Sequence, residues 1–171
     1  MTFRSSTSLV KIAFFISVFA FVITAVGVFT PNWMVISKID YRMGLVYVCT
    51  STGCSSGGSG STSAIPDWYM AMLVMELFGI LFAAASLIFI TLYIFCAATS
   101  GKKWTRMVTL CLTYGAAFLL LIGVIICAAK KNEVAIPLFP HPDLGWSFAL
   151  TVVAGLLYLG IGVMLLMDVF L

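Results

Sequence analysis

Few side chains in this sequence have types and spacings suited to chemistry. Cys49 and Cys54, two of its five cysteines, stand five positions apart in "GLVYVCTSTGC". Thiols so placed can close a disulfide, share a metal or stay free. His141, the single histidine, lies in "FPHPD" with no further ligand pair beside it, so it reads as a solvated loop residue and no metal site is expected. Glu76 is an ionisable group inside an apolar run, "LVMELFG", and Cys96 closes that same run. No H-E-x-x-H, G-x-S-x-G, phosphate-binding glycine loop or clustered C-x-x-C is present. Neither catalysis nor a cofactor is expected.

The elements that must position these residues follow from composition. With 63% hydrophobic and 9% charged residues, the chain is too apolar for a soluble domain, which is about half apolar and about a quarter charged. The lipid bilayer is therefore its first partner, and nucleic acid is not expected as one. Residues 9–29, 69–97, 107–129 and 146–167 form apolar runs long enough for the about 20 helical residues that cross a bilayer core. Backbone groups must be paired in lipid and no run alternates polar with apolar, which points to helices and away from a β-barrel. The expectation is one domain over residues 1–171, an all-α bundle of four transmembrane helices, with segments 30–68, 98–106 and 130–145 between them. Arg4 and Lys11 give the first run the look of a secretion signal, but its apolar core exceeds the 7 to 15 residues usual for one, so it is read as a retained helix.

Four spans put both termini on one side. Placing them in the cytoplasm puts Arg4, Lys11, Lys102, Lys103 and Arg106 inside, against Lys38, Arg42, Lys130 and Lys131 outside. That margin is thin, and the short basic turn "SGKKWTR" decides it: segment 98–106 is read as cytoplasmic and segment 30–68 as extracellular. An oxidising exterior favours a Cys49–Cys54 disulfide over free or metal-bound thiols. "WMVISKID" and "MGLVYVC" are rich in β-branched and aromatic residues and read as two strands, with "TSTG" as a turn that Gly53 closes. A disulfide across such a hairpin meets the needed Cα separation of about 4.4 to 6.8 Å, and its short loop removes only about 2 kcal/mol of unfolded-state entropy. "SSGGSGSTSA", residues 55–64, reads as a flexible linker, either a natural loop or an engineered replacement, and makes a poor rigid surface.

Trp33, "GLV" at residues 44–46, Cys49 and Cys54 resemble the W…GLW…C…C signature in the first extracellular segment of the claudin superfamily, which also holds the peripheral myelin, epithelial membrane and lens tetraspan proteins. "PDWYMA", "TSGKKW" and "LGWSFALTVVAGLLYLGIGVML" extend the likeness along the chain. The resemblance implies a left-handed four-helix membrane bundle carrying a small extracellular antiparallel sheet, with a strand from the second loop, near residues 134–136, on its edge. Three positions depart from the pattern. Val46 stands at the second Trp, ten residues separate Trp33 from Gly44 where junction-forming claudins have more, and Met72 replaces a common Arg.

Glu76 lies roughly 10 Å below the start of the second run, at the 1.5 Å rise of a helix, and should face the bundle. There it is either a structural group, neutral, hydrogen-bonded or near Lys130, or a contact for a partner helix or lipid headgroup. Cys96, at the cytoplasmic end of its run, is a possible palmitoylation site, while Cys111 and Cys127 read as packing residues. Gly79, Ala83, Gly115, Gly123, Gly155, Gly160 and Gly162 supply small surfaces for helix packing, and "GLLYLGIG" is a possible dimer face.

Two function classes follow. One is a claudin-like protein of cell–cell junctions in the plasma membrane, forming adhesive or barrier strands by self-association in cis and in trans. Leu138, Phe139 and Pro140 of "KKNEVAIPLFPHPDLGW" are its trans-contact candidates, with rest on the membrane interface as the alternative. Lys38, Asp40, Arg42 and Asp67 sum to zero and no Asp, Glu, Lys, Arg or His stands between Arg42 and Asp67, so weak ion selectivity is expected. The other class is an auxiliary tetraspan or myelin-type organiser that binds a channel, receptor or other membrane protein. The ending "MDVFL" leaves no room for a scaffold-binding tail, which is expected to be absent or removed.

Overall fold

The computed structural model describes residues 8–37, 40–56, 67–96, 103–134 and 142–170. Four helices, α1 (Ser8–Phe29), α2 (Asp67–Phe95), α3 (Lys103–Lys130) and α4 (Trp146–Phe170), form the bundle. All four are long and apolar enough to cross a membrane. α2 and α3 start earlier than their apolar runs, taking in Trp68, Lys103 and Trp104, residues whose mixed apolar and polar character suits a membrane interface.

The helices pack as a closed ring, α2 on α3, α3 on α4, α4 on α1 and α1 on α2. Small residues set the spacing. Gly79 lies against Leu120, Gly115 against Phe82, Gly155 against Leu121 and Gly162 against Tyr114. Gly160 meets no neighbour, so the α4 glycines do not share one role. Several buried hydroxyls find partners within the bundle: Ser86 and Thr113 join α2 to α3 at 2.6 Å, while Thr24, Thr109 and Thr151 donate to carbonyls one turn back. Each helix also turns an apolar stripe outward, as with Phe15 and Phe19 on α1, which suits hydrocarbon surroundings.

Between α1 and α2 the chain builds β1 (Met34–Ile36), β2 (Tyr41–Met43), β3 (Tyr47–Thr50) and β4 (Gly53–Ser56). β5 (Asp143–Leu144) comes from the segment before α4 and pairs antiparallel with β1, giving the order β4-β3-β2-β1-β5. Two expectations are corrected here. The two strands read from sequence are four, because Asp40, at φ 47°, and the stretch 44–46 break the runs. Among the described residues the edge strand of the second segment is Asp143–Leu144, and Val134 instead ends a 3-10 turn, Lys131–Val134, while Ala135 and Ile136 lie outside the described residues. Residues 143–144 are carried there by their attachment to α4, whose first turn is bonded to the chain around Trp33.

Candidate functional site

The sheet and its seat on the helices form the site. Trp33 is fully buried, and its indole Nε1 donates to the Gly27 carbonyl at 2.7 Å. That carbonyl belongs to the last turn of α1, where helical acceptors have no partner within the helix. The Trp33 ring meets Phe148 of α4 edge to face at 6.1 Å. Its backbone is fixed as well, with its N–H donating to Met43 and its carbonyl accepting from Gly145. Ser147 N–H donates to Asn32, and the Thr30 and Ser147 hydroxyls meet at 2.7 Å. One tryptophan thus ties α1, α4 and two strands together.

Gly44 and Leu45 make the second tie. A side chain at Gly44 would lie 2.8 Å from the Thr30 carbonyl, so the chain crosses here only without a Cβ. Leu45 is buried in a core with Val28, Met34, Tyr69, Met72, Val124 and Cys127. Tyr69 of α2 donates its hydroxyl to the Gly44 carbonyl at 2.6 Å and lies 3.0 Å from the Leu45 carbonyl. Gly145 repeats the logic of Gly44, since a side chain there would strike the Asn32 carbonyl.

Cys49 and Cys54 are disulfide-bonded, directly opposite one another in the β3–β4 register, with Cα atoms 4.0 Å apart. This is closer than the separation expected from sequence, because side chains opposed across adjacent strands are at their nearest approach. Thr50 and Thr52 close the turn with their own hydroxyl contacts. The hairpin includes Ser55 and Ser56, which the sequence assigned to a linker. An edge strand needs only backbone pairing. Residues 57–64 of that segment, and Leu138, Phe139, Pro140 and His141, lie outside the described residues.

The sheet has two unlike faces. Met34 and Ile36 are buried and Met43 packs against the core, whereas Arg42, Tyr47, Cys54 and Asp143 are exposed on the other face. The register aligns Asp143, Val35, Arg42, Cys49 and Cys54 in one row across all five strands of that face. Arg42 pairs with Asp40 at 3.3 Å, and both side chains are at least half exposed. On the inward face, burial pushes the Tyr41 phenol above its ordinary pKa.

Glu76 faces the bundle and is fully buried. Neither carboxyl oxygen has a hydrogen-bond partner, and the group lies over Gly123 of α3, where a side chain would collide with it. Lys130 is not its partner, since it bonds Glu133 instead. Of the cysteines outside the disulfide, Cys127 is buried, Cys96 is exposed at the end of α2, and Cys111, read as a packing residue, is exposed on the bundle surface.

The sequence singled out Trp33, Gly44, Leu45 and the cysteines but missed Tyr69, Gly145 and Ser147. "DWY" at the head of α2 was the available signal, a polar aromatic pair where a membrane helix meets water.

Four membrane-length helices with a small sheet bonded to the ends of α1, α2 and α4 define a tetraspan membrane protein. A model of the PMP-22/EMP/MP20/Claudin family matches residues 6–165, and the chain belongs to that family. No curated protein matched the chain.

Proposed function

We propose that this chain is a self-associating protein of cell–cell contacts in the plasma membrane, forming adhesive or barrier strands with other copies of itself. The observation that carries this reading is the exposed sheet face on a seat fixed to α1, α2 and α4, a firm platform whose outward row is engaged, among the described residues, only by the Asp40–Arg42 pair and the Cys49–Cys54 disulfide. A platform held this firmly can dock without first being ordered. Both termini are taken as cytoplasmic, which puts the sheet outside the cell and Cys96 at the inner membrane surface, where reversible acylation is a reasonable fate. Leu138, Phe139 and Pro140 remain proposed trans contacts. No catalytic role is assigned.

Val46 favours a second reading. Where the family signature has a second Trp, this side chain is aliphatic and partly buried against the sheet's core, so that position supplies no aromatic anchor of the kind that dominates tight interfaces. An auxiliary subunit held through its helices by another membrane protein needs no such anchor. Imaging tagged protein in cells that lack junction strands, mixed with untransfected cells, separates the two. Enrichment only where two expressing cells meet supports self-association. Even distribution, or retention until another membrane protein is supplied, supports the auxiliary reading.

A further inference from the structure

The exposed face of the sheet carries two opposite charges in fixed relation. Arg42 on β2 and Asp143 on β5 are both aligned with Val35 of the strand between them, so they lie on one face two strands apart. At about 4.8 Å per strand their Cα atoms are about 10 Å apart. Both side chains are exposed, and the residue between them is apolar. Among the described residues Arg42 pairs with Asp40, in an exposed pair of the kind that contributes little and is readily exchanged.

We propose that this face docks on the same face of a second copy of the chain, with Arg42 of each copy pairing with Asp143 of the other. The inference rests on the self-association proposed above and names the surface that performs it. A twofold axis requires a self-complementary patch, in which residue i meets j and j meets i. One positive and one negative charge across a small apolar centre meet that requirement, and a single axis makes both pairs at once. Rotation about it also brings Val35 of the two copies together, and the two unlike charges oppose any stacking in which Arg42 meets Arg42. The register and charges favour another copy over a partner of one strong charge sign, which would be attracted by one of these residues and repelled by the other.

Size sets how such a contact works. Five strands at about 4.8 Å spacing and three to four residues of about 3.4 Å make a face of roughly 300 Å². That is well below the about 800 Å² per partner of a stable dimer. The contact is therefore weak singly and becomes effective when many copies are arrayed in one membrane and act together.

Charge reversal in the mixed culture tests this. Arg42→Glu and Asp143→Lys are made singly and together, and disulfide formation and surface delivery are checked for each variant. Each single reversal should lower contact enrichment about twofold to fivefold, the factor that loss of an exposed ion pair corresponds to. The double reversal restores both pairs with inverted polarity and should regain enrichment, as should cells carrying Arg42→Glu placed against cells carrying Asp143→Lys. Recovery between separate cells identifies a trans contact. Recovery only when both single variants share one cell identifies a cis contact, and either result supports docking between copies. If wild type gathers at contacts and the single reversals match it, or if no combination recovers, the inference is overturned while self-association stands. If wild type itself does not gather at contacts, the self-association reading is what has failed.

Discussion

Trp33 donates its indole hydrogen to the carbonyl of Gly27, across the junction between the end of α1 and the start of the sheet. The bond caps one helix and orients the strand that follows. Replacing Trp33 with Phe keeps most of the apolar volume and removes the donor, leaving a buried carbonyl unpaired at a cost of about 1 to 3 kcal/mol. Trp33→Ala should cost more, about 3 to 5 kcal/mol, through the cavity it leaves. Thermal unfolding of the purified protein in detergent should rank the three as wild type, Phe, Ala. A Phe variant as stable as wild type would show that the cap contributes nothing.

Tyr69 holds the Gly44–Leu45 stretch from the α2 side. Tyr69→Phe should leave the helices intact and release that stretch. Hydrogen exchange at residues 44–50 should quicken while the α2 and α3 amides keep their protection. Unchanged exchange there would mean that Trp33 alone seats the sheet.

Much of this arrangement was legible before the fold was known, and the boundary has a physical cause. Helices α1 to α4 announced themselves because lipid permits little else for runs of apolar residues. The Cys49–Cys54 pairing was legible because both partners lie within one hairpin. Gly27, Tyr69 and Ser147 were not, because each acts on a segment distant in sequence and carries no local pattern of its own. The edge strand went wrong for a related reason. Val134 has the side chain of a strand yet ends a 3-10 turn, whereas β5 is formed by Asp143 and Leu144, which are placed by the hydrogen bonds of Gly145 and Ser147 and not by propensity.

Gly123 and Gly160 should respond oppositely to the same change. Gly123→Ala drives a methyl group into the Glu76 carboxyl and should destabilise by about 1 to 3 kcal/mol. Gly160→Ala meets nothing within 4 Å and gains helix propensity, so it should be neutral or stabilising by up to about 1 kcal/mol. Melting temperatures of the two variants decide this, and a destabilised Gly160→Ala would mark that surface as a contact between copies.

The disulfide should be separable from the seat. Replacing both Cys49 and Cys54 with Ser removes a short-loop link worth about 2 kcal/mol, yet none of the bonds at Trp33, Gly44 or Tyr69 involves the β3–β4 hairpin tip. Exchange should quicken in β4 and the turn while the Trp33 amide stays protected. Loss of protection at Trp33 as well would show that the sheet comes apart as one unit.

A barrier built from the segment between α1 and α2 should discriminate weakly by charge, because its Lys38, Asp40, Arg42 and Asp67 sum to zero. In an epithelial monolayer expressing the chain, dilution potentials should show sodium and chloride permeabilities close to their ratio in free solution. A strongly cation- or anion-selective conductance would contradict this.

Self-association across a gap is the central claim, and reconstitution tests it with no other protein present. Purified chain is inserted into lipid vesicles at high density, with those displaying the sheet outward selected by protection of an N-terminal tag, and vesicle clustering is followed by light scattering. The account predicts that loaded vesicles cluster with one another, fail to cluster with protein-free vesicles, and cluster less as protein density falls. Loaded vesicles that stay dispersed at every density would contradict it and leave a partner in the chain's own membrane as the better explanation.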